Sequence, residues 1–146
     1  MSEGSRGTGK VNLALLLLRV PIGVFFTLAG AGKVAGGVGA FVSHASGTIP
    51  EYLPQALGKA YLYAVPWAEI IVGACFVLGI FTRFTGLIAS LMLISFTIAA
   101  TGWRGQGGGP FHTNLILLSV TLAIMMLGPG NFSVDAFWPQ RRKKKE

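Results

Sequence analysis

Three ionisable side chains interrupt otherwise apolar stretches: Arg19 in "LLLLRVPIG", Glu69 in "VPWAEIIVGAC" and His112 in "FHTNLILL". An ionisable group in hydrocarbon costs roughly 2.5–3.5 kcal/mol on insertion scales, so it faces a partner or a cavity and is a functional-site candidate by default. With Arg19 counted from Val11 and Glu69 counted back from Phe81, the two lie ~12 Å and ~18 Å deep from the same side, at 1.5 Å per helical residue. A depth difference of about 6 Å on that rise is within reach of the two side chains, so the sequence predicts an Arg19–Glu69 pair. Each is followed at i+4 by glycine, Gly23 and Gly73. With Gly30, these small residues predict a close helix–helix contact.

Two roles are open to such a pair. It can fix how two helices assemble, since breaking a buried pair leaves an uncompensated charge. It can also line a site in the outer half of the bilayer, with His112, Thr113 and Asn114 entering from the head of the fourth apolar stretch. There His112 is either a polar cap or a proton donor. Bis-histidine haem would need two inward histidines at matching depth, and the chain offers only His44 and His112. No metal-ligand cluster is spaced along the chain. Cys75 is alone, which removes an intramolecular disulfide and C-x-x-C chemistry and leaves it the reading of a small buried hydrophobe.

The elements that must position these residues are four apolar stretches, at 11–32, 60–81, 84–101 and 111–128. Each meets or approaches the ~20 residues that a helix needs to span the hydrocarbon core. None shows the alternation of a barrel strand, so all four read as helices. Composition agrees, with 52% hydrophobic residues, 12% charged and a mean hydropathy of +0.63, against roughly 25% charged in ordinary globular chains. The formal net charge of +7 resides mostly in the tail "RRKKKE" at 141–146. With no nucleic-acid motif elsewhere, a nucleic-acid partner is not expected.

The apolar run behind Arg6 and Lys10 imitates a signal peptide, but its length, Arg19 and Pro21 mark it as a retained span. Counting Lys and Arg, one side holds Arg6, Lys10, Arg83 and the tail, whereas the other holds Lys33, Lys59 and Arg104. The positive-inside rule then puts both termini in the cytoplasm, with Tyr61, Trp67 and Trp103 near the outer interface. Only Thr82 and Arg83 separate the second and third stretches, which makes them antiparallel neighbours. The segment "EYLPQALGKAY" in the first outer loop reads as a short interfacial helix, and "GWRGQGGGP" at 102–110 as a flexible one. The expected organisation is a terminus of residues 1–10, one membrane domain over 11–135, and a basic tail over 136–146.

Three stretches, "LLLLRVPIGVFFTLAGAGKV", "WAEIIVGACFVLGIFTRFTGLIASLMLI" and "GPGNFSVD", resemble the DoxX family of bacterial four-helix membrane proteins. Carried over residue by residue, the resemblance marks Arg19, Gly30 and Lys33, then Glu69, Gly73, Gly79, Thr82 and Arg83, then Gly128, Gly130, Ser133 and Asp135. Asn131 stands where many members have arginine, and Ala29 where many have histidine. The resemblance implies an antiparallel four-transmembrane-helix bundle in a bacterial inner membrane. It also implies the membrane subunit of a quinone-linked, thiosulfate- or thiol-related oxidoreductase complex, with no intrinsic cofactor, a bound quinone, and a partner subunit or second copy. The competing class is a non-catalytic scaffold or assembly factor whose basic tail grips anionic lipid or an acidic partner. A small-solute transporter is disfavoured by the lack of an internal repeat.

Overall fold

The computed structural model describes residues 3–101 and 110–137, with side chains over 9–99 and 113–137. Trp103, Arg104, the loop 102–109, the His112 side chain and the basic tail lie outside the described residues. The chain is helical: α1 Glu3–Ala35, α2 Val38–Ala45, a 3-10 turn Ser46–Thr48, α3 Gln55–Leu78, α4 Thr82–Thr101, α5 Pro110–Leu127 and the short α6 Val134–Phe137. Three stretches are long and apolar enough to cross a membrane, Gly9–Ala35, Gln55–Leu78 and Thr82–Ala99, and a shorter apolar stretch follows at Thr113–Leu127.

α1 packs chiefly on α3 and α4 on α5, with smaller α3–α4 and α1–α5 contacts joining the pairs. The α1–α3 seam is close because glycines line it. A Cβ on Gly23 would stand 2.8 Å from the Gly73 carbonyl oxygen, and one on Gly73 would stand 2.5 Å from the Gly23 oxygen. Lipid-embedded helices gain little from apolar burial alone, so backbone approach of this kind supplies the packing energy. Gly30 continues the seam, since a Cβ there would lie 2.5 Å from the Pro66 oxygen. Between the helix pairs lies the core of Ile22, Phe26, Val72, Phe76, Ala89, Met92, Leu93 and Ile124.

Three expected boundaries shift, each for a local reason. The short helix expected between the first two apolar stretches is α2, beginning after Gly37 in a left-handed conformation (φ 91°). "EYLPQALGKAY" instead supplies the entry of α3, with Pro54 at its N-cap, where the missing N–H costs no intrahelical bond. The connection between α3 and α4 is Gly79–Phe81, and Thr82 and Arg83 already belong to α4. Gly79 ends α3 in the left-handed region (φ 72°), where its N–H and that of Ile80 both donate to the Cys75 carbonyl at 2.8 and 3.0 Å.

Candidate functional site

Arg19 and Glu69 do not meet. Arg19 lies level with Gly79, where a Cβ would stand 2.6 Å from its Nη1. Glu69 lies ten residues earlier on α3, roughly 15 Å away along the axis at 1.5 Å per residue. The expected pair assumed Val11 and Phe81 to be at equal depth. α1 in fact begins at Glu3, and the Gly23–Gly73 seam sets a register that carries Arg19 toward the α3–α4 turn.

At that turn Arg19 is buried, 2% exposed. Its Nη1 donates to the Pro129 carbonyl at 2.6 Å and its Nη2 to the Phe132 carbonyl. Its Nε has no partner among the described residues. Asp135 supplies the opposing charge while serving a second task from across the chain. Its carboxylate accepts the Phe81 and Thr82 N–H groups at 2.8 Å each and the Thr82 hydroxyl at 3.0 Å. Those N–H groups begin α4 and would otherwise lack intrahelical acceptors. Phe81, in the left-handed region at φ 47°, is one of the two residues so held.

The rest of this knot is backbone geometry. Gly128 and Gly130 take positive φ, 87° and 67°. The Ser133 hydroxyl donates to the Gly130 carbonyl and accepts the Ala136 N–H. The Asn131 N–H donates to the side chain of Asn12 at 3.1 Å. Arg19, Gly79, Thr82, Gly128, Gly130, Ser133 and Asp135 thus converge on one structure that ties 128–137 to α1 and to the α3–α4 turn. Arg83, exposed, borders it.

Glu69 is held at the other end of the α1–α3 seam. The Lys33 ammonium lies 2.6 Å from both of its carboxylate oxygens. Glu69 is buried, whereas the Lys33 side chain keeps 26% exposure. The Phe41 ring of α2 stands 5.5 Å from Lys33 Nζ, within cation–π range. The pair opens on a cavity of about 250 Å³ walled by Phe41, Leu62, Val65 and Phe96, with Tyr61 and Ser95 among its polar groups. Tyr61 and Ser95 are hydrogen-bonded through their hydroxyls. A neighbouring cavity of about 310 Å³ shares Thr48, Tyr61, Leu62, Ser95 and Ala99. The result is a mostly apolar chamber with a salt bridge at one wall and a hydroxyl pair at another.

Asn114 is half-buried on α5 and lines neither cavity. His44 is exposed on α2, and Cys75 is half-buried on α3. Among the described residues no three His, Cys, Asp or Glu side chains gather as a metal site.

Sequence reasoning missed Lys33 as the partner of Glu69, and Phe41, Tyr61 and Ser95 as its surroundings. The signal for Lys33 was present: Arg19, Gly23, Phe26, Gly30 and Lys33 recur at spacings of three and four, which places them on one helix face. A single face carrying two cations ten angstroms or more apart needs two acceptors, not one.

Among curated proteins and among solved structures nothing matches the chain. Residues 11–110 match the family described as Methylamine utilisation protein MauE. This overturns the resemblance to DoxX, for which no match is found. The quoted motifs misled because each serves helix approach, capping or a glycine turn in this structure, tasks that any compact membrane bundle shares. With most of its length covered by that match, the chain belongs to the MauE family of membrane proteins.

Proposed function

We propose that this protein is a non-autonomous membrane subunit of a redox system of the methylamine-utilisation kind, and that the Lys33–Glu69 chamber receives a hydrophobic carrier bearing a carbonyl acceptor, a quinone in the first instance. The observation that carries this reading is the ion pair of a buried carboxylate and a half-buried ammonium facing a mostly apolar cavity. A charge pair inside a membrane is retained at a cost, and a cavity beside it gives that cost a use. Oxidation of methylamine to formaldehyde and ammonia, with water as co-reactant, releases two electrons and two protons. A quinone is a carrier that accepts both.

The residues fit such a guest. An ammonium has three N–H donors, and two Lys33 bonds go to Glu69, so a further donor remains for a carbonyl. Tyr61 offers a hydroxyl on another wall. In this reading the short α5 is a fourth span, both termini are cytoplasmic, and the chamber lies in the outer half of a bacterial inner membrane, next to a partner subunit.

Purification in mild detergent followed by solvent extraction and chromatography tests it. Quinone should accompany the unaltered protein and be depleted in Glu69→Gln and Lys33→Met. A preparation that is quinone-free and that binds no added short-chain quinone would overturn the reading.

A scaffold or assembly role is favoured by a different observation, the locking of 128–137 by Arg19 and Asp135. That lock fixes the position of α6, beyond which the basic residues follow in sequence. A partner protein captured by the full chain but lost on truncation after Phe137, with no effect of Glu69→Gln, would decide for the scaffold.

A further inference from the structure

The α3–α4 turn must lie at a membrane surface, because the helices on either side of it are both long and apolar enough to span. At that turn opens a cleft of about 740 Å³ lined by Phe81, Arg83, Phe84, Pro129, Val134 and Asp135. Its volume lies within the range of small-molecule sites. Phe81 is 72% exposed and Phe84 63% exposed, so the cleft presents aromatic surface outward at headgroup depth.

Arg83 is the cation of this cleft. Unlike Arg19, it makes no hydrogen bond or ion pair among the described residues. Its guanidinium is set against Gly128, where a Cβ would stand 3.3 Å from Nε and 3.5 Å from Nη2. The nearby carboxylate is not paired with it: Asp135 accepts three bonds from the start of α4 and its charge opposes Arg19. Those bonds also occupy the Phe81 and Thr82 N–H groups, leaving Arg83 to hold any anion at the mouth. The described chain ends at Phe137, and five basic residues follow within 141–145.

We propose that this cleft binds one anionic phospholipid, with its phosphate on Arg83 and an acyl chain along Phe81, Phe84 and Val134. Charge complementarity selects the headgroup, and the cleft's place at the edge of the hydrocarbon makes lipid the molecule in contact with it. The site is independent of the chamber at Lys33–Glu69, which lies at the opposite end of the α1–α3 seam.

The full chain is purified in detergent, and lipid retained through native mass spectrometry is counted after exposure to phosphatidylglycerol or phosphatidylcholine. Melting temperature is followed in parallel with each lipid and with inorganic phosphate. One phosphatidylglycerol should be retained and should raise the melting temperature, while phosphatidylcholine and inorganic phosphate do neither. Arg83→Gln should weaken retention about fivefold, the worth of one basic residue at an anionic surface, and Arg83→Lys should restore part of it. Val134→Trp, which fills the cleft and keeps every charge, should also lower retention, and it carries the comparison if Arg83→Gln melts abnormally without lipid. Truncation after Phe137 should leave the single lipid bound. Equal retention of phosphatidylcholine would overturn the proposal, as would full stabilisation by inorganic phosphate alone. So would loss on truncation with retention in Arg83→Gln, which would assign the lipid to the tail.

Discussion

Lys33 Nζ lies 2.6 Å from both carboxylate oxygens of Glu69, joining the end of α1 to the middle of α3 across the glycine seam. The geometry is that of a small cation shared between two acceptors. It accounts for how a carboxylate can be buried in an apolar helix without arginine beside it. The pair predicts strong coupling. Lys33→Met leaves a buried carboxylate, Glu69→Gln leaves a half-buried ammonium, and the double change leaves neither. Breaking buried pairs costs roughly 3–5 kcal/mol in soluble cores. Polar contacts in membrane bundles are worth less, about 0.6 kcal/mol on average and up to ~1.7 in double-mutant cycles. Melting temperatures in detergent should therefore show Lys33→Met and Glu69→Gln each destabilising by about 1–3 kcal/mol, with the double variant losing well under the sum of the two. Arg19→Gln with Glu69→Gln should be additive, because the two sites share no partner.

The second prediction concerns the C-terminal knot. Replacing Arg19 with Gln strands the Pro129 and Phe132 carbonyls and leaves Asp135 without its opposing charge. An acceptor left without its partner costs about 1–3 kcal/mol when fully buried, and less at these part-buried positions. Hydrogen exchange over 128–137 should accelerate, while exchange in α4 and α5 stays close to that of the unaltered protein. Arg19→Lys should not rescue it, since one ammonium does not reproduce the planar fork that reaches two carbonyls. Asp135→Asn should loosen the start of α4 by about 1 kcal/mol, the usual worth of a helix cap. Unchanged exchange at 128–137 in Arg19→Gln would remove the knot from this account.

Much of this arrangement was legible in the residues. Apolar length located three stretches long enough to span and the shorter apolar helix after them, and the glycines at i+4 after Arg19 and Glu69 do face one another across α1 and α3. Helix ends were less legible. α1 extends back to Glu3 through residues whose polarity suggested a terminus, and that extension is what misplaced Arg19 by several residues of register. Contacts between distant segments were not legible at all. Nothing local to Asp135 announces that its carboxylate caps a helix beginning more than fifty residues earlier. The Lys33–Glu69 pair lies between these cases, because the helix face that holds Lys33 was visible and the register that brings it to Glu69 was not.

The seam itself makes a sharp contrast among glycines. A Cβ on Gly73 would enter the backbone of Gly23 and Thr27, each 2.5 Å away, so Gly73→Ala must push α1 and α3 apart. Overpacking of this kind costs typically 1–3 kcal/mol. Gly32, on the same helix as Gly23, has nothing within 4 Å of its Cβ position. Gly32→Ala should be neutral or gain up to about 1 kcal/mol from helix propensity. Thermal denaturation of the two variants side by side reads the seam directly. Equal effects would mean that the helices do not approach as closely as described.

The last prediction addresses access to the chamber. Phe41 on α2 covers the Lys33 ammonium and forms part of the chamber wall, and Ser95 stands at a wall shared by both cavities. α2 is joined to α1 through Gly36 and Gly37, the latter in the left-handed region, in a turn closed by their N–H groups on the Gly32 and Val34 carbonyls. Removing the Phe41 ring forfeits a cation–π contact worth about 0.5–1 kcal/mol at a partly exposed site, together with its share of the wall. Because Cys75 is the one cysteine in the chain, a Cys75→Ala background allows Ser95→Cys to report on the chamber alone. Modification of that thiol by a polar maleimide should be slow with Phe41 in place and several-fold faster in Phe41→Ala. Bound quinone should slow it in both backgrounds if the guest occupies the chamber. A rate unaffected by Phe41→Ala would show that α2 does not govern entry, and access would then be sought from the lipid side, between α3 and α4.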